Sequence, residues 1–290
     1  MKAYDQRNQS EDNIFMKKKI LALITAMTMV TCMSACAGSD TSGNDNTGNV
    51  SSEDIVSDVE YIKDKGTLIV GITDFAPMDY KDDNGNWIGF DADMATKVAQ
   101  SLGVEVQFVE IDWDNKILEL ENKSIDVVWN GMTLTSEVTN AMECTNAYLN
   151  NAQVVVVSKD KADQCKTLED VSGFSFAVES GSAGEQAAID NGFEYTSLTS
   201  QADAVMEVAA GTSDACIIDL LMAGAMVGEG TSYENLTYTV ELTTEEYGIG
   251  CRKGSDLASY INEQLKTYYA DGSMETVAKQ YGVQEAIIAQ

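Results

Sequence analysis

From about Asp58 onward, short β-branched runs alternate with segments whose apolar residues fall at helical spacing. Leu68-Ile69-Val70-Gly71-Ile72 ends in a polar turn and predicts a strand. Asp91 to Leu102 places Met94, Ala95, Val98 and Leu102 along one face and stops at Gly103, which predicts a helix. Asp82-Asp83-Asn84-Gly85-Asn86 is turn chemistry between strand-like flanks, a hairpin loop. Val104 to Ile111 predicts a strand, Asn115 to Asn122 a helix, and Ile125 to Trp129 a strand that empties into a turn of Asn, Gly and two hydroxyls. The order β–α–β–α–β suits a parallel sheet covered by helices.

Gln153 to Val157 is a solidly apolar strand, and Asp160-Lys161-Ala162-Asp163 is a polar break. A second series follows: strand Phe174 to Val178, helix Gly184 to Asn191, a strand at Tyr195, helix Gln201 to Ala210, strand Asp214 to Ile218 and helix Leu220 to Val227. Glu246 to Cys251 returns to a strand, and helices at Asp256 to Ala270 and Ser273 to Gln280 finish the chain. Two similar series in one chain predict two lobes of α/β build.

The first residues follow another pattern. Met16-Lys17-Lys18-Lys19 is a basic start, and Ile20 to Val30 is an apolar run too short to span a bilayer, which takes about 20 residues. Met33-Ser34-Ala35-Cys36 places small residues before a cysteine, as lipoprotein processing requires. Residues 1–35 are therefore read as a signal peptide, with 1–15 as extra residues ahead of it, and Cys36 as the lipidation site. An ordinary cleavage near Ala35 or Ala37 is the alternative. Residues 36–57, rich in Gly, Ser, Asn, Asp and Thr, read as a flexible tether.

Charge narrows the partners. The chain carries −29, and removing residues 1–35 leaves 13 basic against 44 acidic residues. Such acidity disfavours nucleic acid and anionic lipid, whose phosphates would repel it. With no histidine and no CxxC spacing, neither a zinc site nor any other metal or cofactor is expected. Outside the signal and Cys36 stand Cys144, Cys165, Cys216 and Cys251; four cysteines allow three pairings, and the sequence does not choose among them.

Three stretches carry a resemblance. Gly89-Phe90-Asp91-Ala92-Asp93-Met94, Asp126-Val127-Val128-Trp129-Asn130-Gly131-Met132-Thr133-Leu134-Thr135-Ser136-Glu137-Val138 and Glu179-Ser180-Gly181-Ser182-Ala183-Gly184-Glu185 resemble the extracellular solute-binding proteins of polar amino-acid ABC importers, family 3. The resemblance runs from about Tyr61 to Gly282. It implies an α/β, two-lobed periplasmic-binding-protein-like fold of type II, with two parallel-type sheets flanked by helices, lobes 58–156 plus 251–290 and 157–250, and crossovers near Val154 to Lys159 and Tyr247 to Arg252 forming a hinge. It also implies a pocket. Phe75 and Trp113 would wall the ligand, and Asn130, Gly131 and Thr133 would hydrogen-bond its carboxylate. Ser182 and Ala183 would offer helix N-terminal amides. Asp219 would accept the α-ammonium, and Glu179, with Asp74 beside the Phe75 motif, would meet the distal end.

One departure matters. Where such proteins carry an arginine that grips the carboxylate, this chain has Val138, and Arg252 is the single arginine after the signal. Either amides and hydroxyls hold a carboxylate alone, or the ligand is an amine or other cationic solute without one. The acids tilt both readings toward a cation.

Catalysis is not expected: Glu179 to Gly184 lacks a nucleophile elbow and no base stands near it in sequence. The expectation is a lipid-anchored monomer on the outer face of the cytoplasmic membrane, serving an ABC permease and its ATPase by capturing a small polar solute. A sensory ectodomain working with a separate receptor is the alternative.

Overall fold

The computed structural model describes residues 57–290. The expected signal peptide (1–35), the expected lipidation site Cys36 and residues 36–56 of the expected tether lie outside the described residues. Helix α1 (Asp58–Lys65) starts where the Ser57 side chain accepts the Glu60 N–H, and it stops at Gly66 in the left-handed region. Strand β1 (Thr67–Ile72) pairs in parallel with β4 (Glu105–Glu110) on one side and β5 (Val127–Thr133) on the other. Between them come the hairpin of β2 (Tyr80–Lys81) and β3 (Trp87–Ile88), then helix α2 (Phe90–Leu102). A 3-10 turn at Trp113–Asn115 leads into α3 (Lys116–Glu121), and α4 (Ser136–Ala141) follows β5 with Thr135 as its cap. A short strand β6 (Glu143–Cys144) pairs with the last strand of the sheet.

The second half repeats this logic. After α5 (Leu168–Val171), β8 (Ser175–Glu179) pairs in parallel with β9 (Glu194–Leu198) and β10 (Ala215–Asp219). Helices α6 (Ala183–Asn191), α7 (Gln201–Ala210) and α8 (Leu220–Met226) connect and cover these strands. Two long antiparallel strands, β7 (Leu149–Ser158) and β11 (Leu236–Cys251), join the halves. The sheet order is β4-β1-β5-β11-β7-β10-β8-β9. Helices α9 (Leu257–Ala270) and α10 (Ser273–Tyr281) then return, with α10 packed on α2. This is the two-lobed α/β architecture expected, but the two parallel sheets are joined into one continuous sheet, because β11 and β7 pair antiparallel with each other and with β5 and β10.

Two strands are longer than their apolar content predicts. β5 does not end in a turn at Asn130; it continues to Thr133, because Met132 and Thr133 pair with Gly248 and Tyr247 of β11. β11 itself begins at Leu236 rather than at Glu246, and its Thr- and Glu-rich stretch is held by pairing with β7 rather than by apolar side chains. The short polar helices α1 and α4 also escape the periodicity. The four cysteines among the described residues are free thiols, with Cys165, Cys216 and Cys251 buried and Cys144 half-buried.

Candidate functional site

A cavity of about 530 Å³ opens where β5 and α3 of the first half face β8, β10 and the start of α6 in the second. Of the ten pocket residues named from the sequence, Trp113, Asn130, Gly131, Thr133, Glu179, Ser182, Ala183 and Asp219 line it. Asp74 and Phe75 do not. Phe75 sits in a tight turn closed by reciprocal backbone bonds with Asp79, which sends its ring into the core beneath Gly131. Asp74, one residue earlier, is exposed.

The donors expected for a ligand carboxylate are largely committed elsewhere. The Gly131 N–H donates to the buried Asp91 carboxylate (2.7 Å), which also receives the Tyr148 hydroxyl. The Asn130 side chain accepts from the Thr73 N–H and donates to the Thr73 hydroxyl, each at 2.9 Å. The Thr133 hydroxyl donates to Glu245 (3.0 Å). At the start of α6 the Gly181 N–H donates to Glu185 (2.7 Å), while the Ser182 hydroxyl accepts the Glu185 N–H. The chain's own Glu185 carboxylate thus takes the amide just before the helix, while the Ser182 N–H donates to the Glu179 carbonyl (3.3 Å) and the Ala183 N–H has no acceptor among the described residues.

The acids are arranged differently. Asp219 accepts from Gln153 (3.0 Å), from the Tyr247 hydroxyl (2.7 Å), and from the Asn151 and Gln201 amides. Asn151 and Gln153 each also donate to Glu245 at 2.7 Å. Strand register explains the cluster: Glu245 lies opposite Asn151 across β11 and β7, and Gln153 opposite Asp219 across β7 and β10. Glu179, only 3 % exposed, has one carboxylate oxygen with no partner among the described residues. Burial, reinforced by the Asp219 charge, pushes the Glu179 carboxyl up to about 8. Burial and the neighbouring Glu245 charge push Asp219 up to about 8 as well.

Among the described residues the cavity has a single cationic lining residue, Lys116. It is 5 % exposed, and its Nζ donates to the Trp113 carbonyl (3.2 Å) and, across the cavity, to the Gly181 carbonyl (2.8 Å). Burial lowers its pKa, and the charges of Glu137, Glu179, Asp114 and Glu185 oppose that shift. Val138 also lines the cavity, where it packs into a cluster with Trp113 and Met132. Arg252 belongs to a different place. It pairs with Asp58 (2.9 Å) and Asp126 (3.4 Å) and donates to the Ile125 carbonyl, so it cannot reach the cavity.

Sequence reasoning passed over Asn151, Gln153, Gln201, Glu245 and Tyr247. Glu245 stands in Thr243-Thr244-Glu245-Glu246, which reads as a solvated run. The amides lie on strands and a helix whose alignment no local pattern reveals. A signal did exist for Gln153, a polar residue opening the apolar run Val154 to Val157.

A buried, acid-lined cleft between two halves joined by paired strands is a site that can enclose a small solute. The sequence pattern of bacterial extracellular solute-binding proteins, family 3, matches residues 68–284, and the chain belongs to that family. It is 27 % identical to the arginine-binding extracellular protein ArtP of Bacillus subtilis, over 91 % of this chain and 98 % of ArtP. It is also 27 % identical to the L-cystine-binding protein TcyJ of Escherichia coli, over 76 % and 84 %. A solved mutant of ArgBP from T. maritima superposes with a TM-score of 0.72 at 33 % identity, covering 77 % of this chain and 98 % of that one. The family is one of binding proteins, not enzymes.

Proposed function

We propose that this protein is the substrate-binding component of an ABC importer, and that its solute is a cationic amino acid. Asp219 and Glu179, with Glu245 behind them, take the positive groups. The observation that carries the reading is Glu179: a fully buried carboxylate with an unpartnered oxygen, beside a second raised acid, in a cavity whose one cation does not pair with it. Buried carboxylates without a counter-charge are costly, and a cationic ligand would offset that cost. The names of the relatives span arginine and cystine, so the ligand class rests on the acids of this chain. Closure would occur by rotation of residues 157–250 against 58–156 plus 251–290 about β7 and β11.

Capture would take place at the outer face of the cytoplasmic membrane, with the protein held through a lipid on Cys36 and the solute passed to a permease coupled to its ATPase. Calorimetric titration with arginine, lysine and histidine against glutamine, glutamate and cystine tests the ligand. A basic amino acid should bind most tightly, and glutamate or aspartate as the tightest ligand would overturn the reading. Cys36→Ser should release the protein into the medium or block its processing; unchanged membrane attachment would remove the anchor.

A further inference from the structure

We infer that Lys116 is the carboxylate anchor of this site, and therefore that the ligand is a zwitterion rather than a simple amine. The inference rests on the cationic amino-acid reading above and sharpens it. An ammonium has three N–H donors. Two of those on Lys116 go to the Trp113 and Gly181 carbonyls, its Nζ lies 5.0 Å from the centroid of the Trp113 ring, and no oxygen acceptor among the described residues takes the third N–H. No ion pair among the described residues includes Lys116 either. A desolvated ammonium with a spare donor, lining a cavity, is a site for an anionic oxygen.

Of the other expected donors only the Ala183 N–H, which lines the cavity at the start of α6, has no acceptor among the described residues, and as a neutral amide it would share the carboxylate with Lys116. Gly131 serves Asp91, Gly181 serves Glu185, and Val138 contributes only hydrocarbon. Lys116 thus supplies from α3 the positive charge that an arginine at position 138 would have brought. The opposite chemistry comes from Glu179 and Asp219, so the cavity carries one cationic and one anionic determinant. A plain amine would satisfy the acids but would place a second positive charge in the same cavity as Lys116. An amino acid satisfies both. The two backbone bonds also hold Lys116 across the cavity, from α3 to Gly181, so a purely structural role as a latch between the halves is the rival.

Arginine and its decarboxylated counterpart agmatine separate these roles. Both should be titrated against the wild type, Lys116→Met and Lys116→Arg, with the melting temperature of each variant recorded. Lys116→Met should weaken arginine about 10- to 100-fold, the scale of one charge-assisted hydrogen bond. Agmatine should hold or gain affinity, since it has no carboxylate to lose and the like charge of Lys116 is gone. Lys116→Arg should keep the preference for arginine over agmatine, which guards against a Met variant that folds badly. Equal losses for both ligands in Lys116→Met would assign Lys116 to a latch and overturn the inference while leaving the cationic reading intact. A wild type that prefers a neutral amino acid would instead sink the cationic reading, and the same variants titrated with that amino acid and its amine would still decide Lys116. A wild type that binds no amino acid overturns both.

Discussion

The molecule buries acidic charge in two regions and treats it in opposite ways. Beside α1 and β5, Asp58 and Asp126 meet Arg252, and Asp126 also meets Lys65 at 2.6 Å. Asp126 further accepts the Ile69 N–H, and the Asp58 carboxyl is held below the usual range by its Arg252 and Ser255 partners despite its burial. In the cleft, Glu179 and Asp219 are buried as deeply, yet both carboxyls are pushed up because burial and acidic neighbours dominate. The first region is complete within the chain. The second has neutral donors in place for Asp219 but leaves a Glu179 oxygen without a partner, and neither acid has an ion-pair partner among the described residues, the state expected of a site built for a cation that arrives from outside.

The sharpest way to break this comparison is to make the complete region incomplete. Arg252→Met leaves Asp58 and part of Asp126 uncompensated, and urea unfolding should show a loss of about 3–5 kcal/mol. A loss below about 1 kcal/mol would mean that Lys65 and water carry the network alone. In the cleft the same kind of change should act on binding instead. Glu179→Gln should weaken the basic amino acid by about 2–4 kcal/mol, read by calorimetry. It should leave the unliganded melting temperature unchanged or raised, because it removes a carboxylate that burial disfavours. A large fall in melting temperature would make Glu179 structural.

Proton linkage offers a third test, of intermediate size. Both cleft carboxyls titrate higher folded than unfolded, so between about pH 4 and 8 the native state holds more protons than the unfolded chain. Unliganded stability should therefore fall as pH rises through that window. Binding a cation favours the ionised acids, so affinity should tighten from pH 6 to 8 with proton release, by about 1.4 kcal/mol per pH unit for each carboxyl that ionises. Calorimetry in buffers of different ionisation enthalpy measures the released protons, and a pH-independent affinity would contradict the uncompensated cleft. The smallest effect belongs to the exposed pair of Lys279 and Glu275, one helical turn apart. Lys279→Ala should change stability by less than about 0.5 kcal/mol, which sets the baseline for a charge that is neither buried nor partnered in a network.

The sequence carried much of the fold because its strongest signals are local. The β-branched runs at Leu68 to Ile72 and Ala215 to Ile218, the stripe Met94-Ala95-Val98-Leu102 and the stop at Gly103 all act within a few residues. The strand after Ile125, the helix from Gln201 and the two closing helices were legible for the same reason. Asp219 could be singled out because an acid ending a buried strand needs a reason to be there. The missing arginine at Val138 was visible as an identity, without any geometry.

What the tertiary structure decided was the use of each group. Gly131 looked like a donor for a ligand, but α2 brings Asp91 beneath it and takes its N–H. The Gly-Ser-Ala turn looked like an anion cradle, but Glu185 takes its Gly181 amide and the Glu179 carbonyl its Ser182 amide, which leaves the Ala183 amide. Phe75 looked like a pocket wall and is core. Glu245, Asn151 and Gln153 meet Asp219 only because β11, β7 and β10 lie in one register, a relation between segments distant in the chain. Sequence determines which groups exist and which short segments they ride on, since backbone preference and side-chain periodicity are local. Whether a carboxylate finds a cation, an amide or nothing depends on packing between elements far apart in the chain, and that alone separated the closed network at Arg252 from the cleft at Glu179.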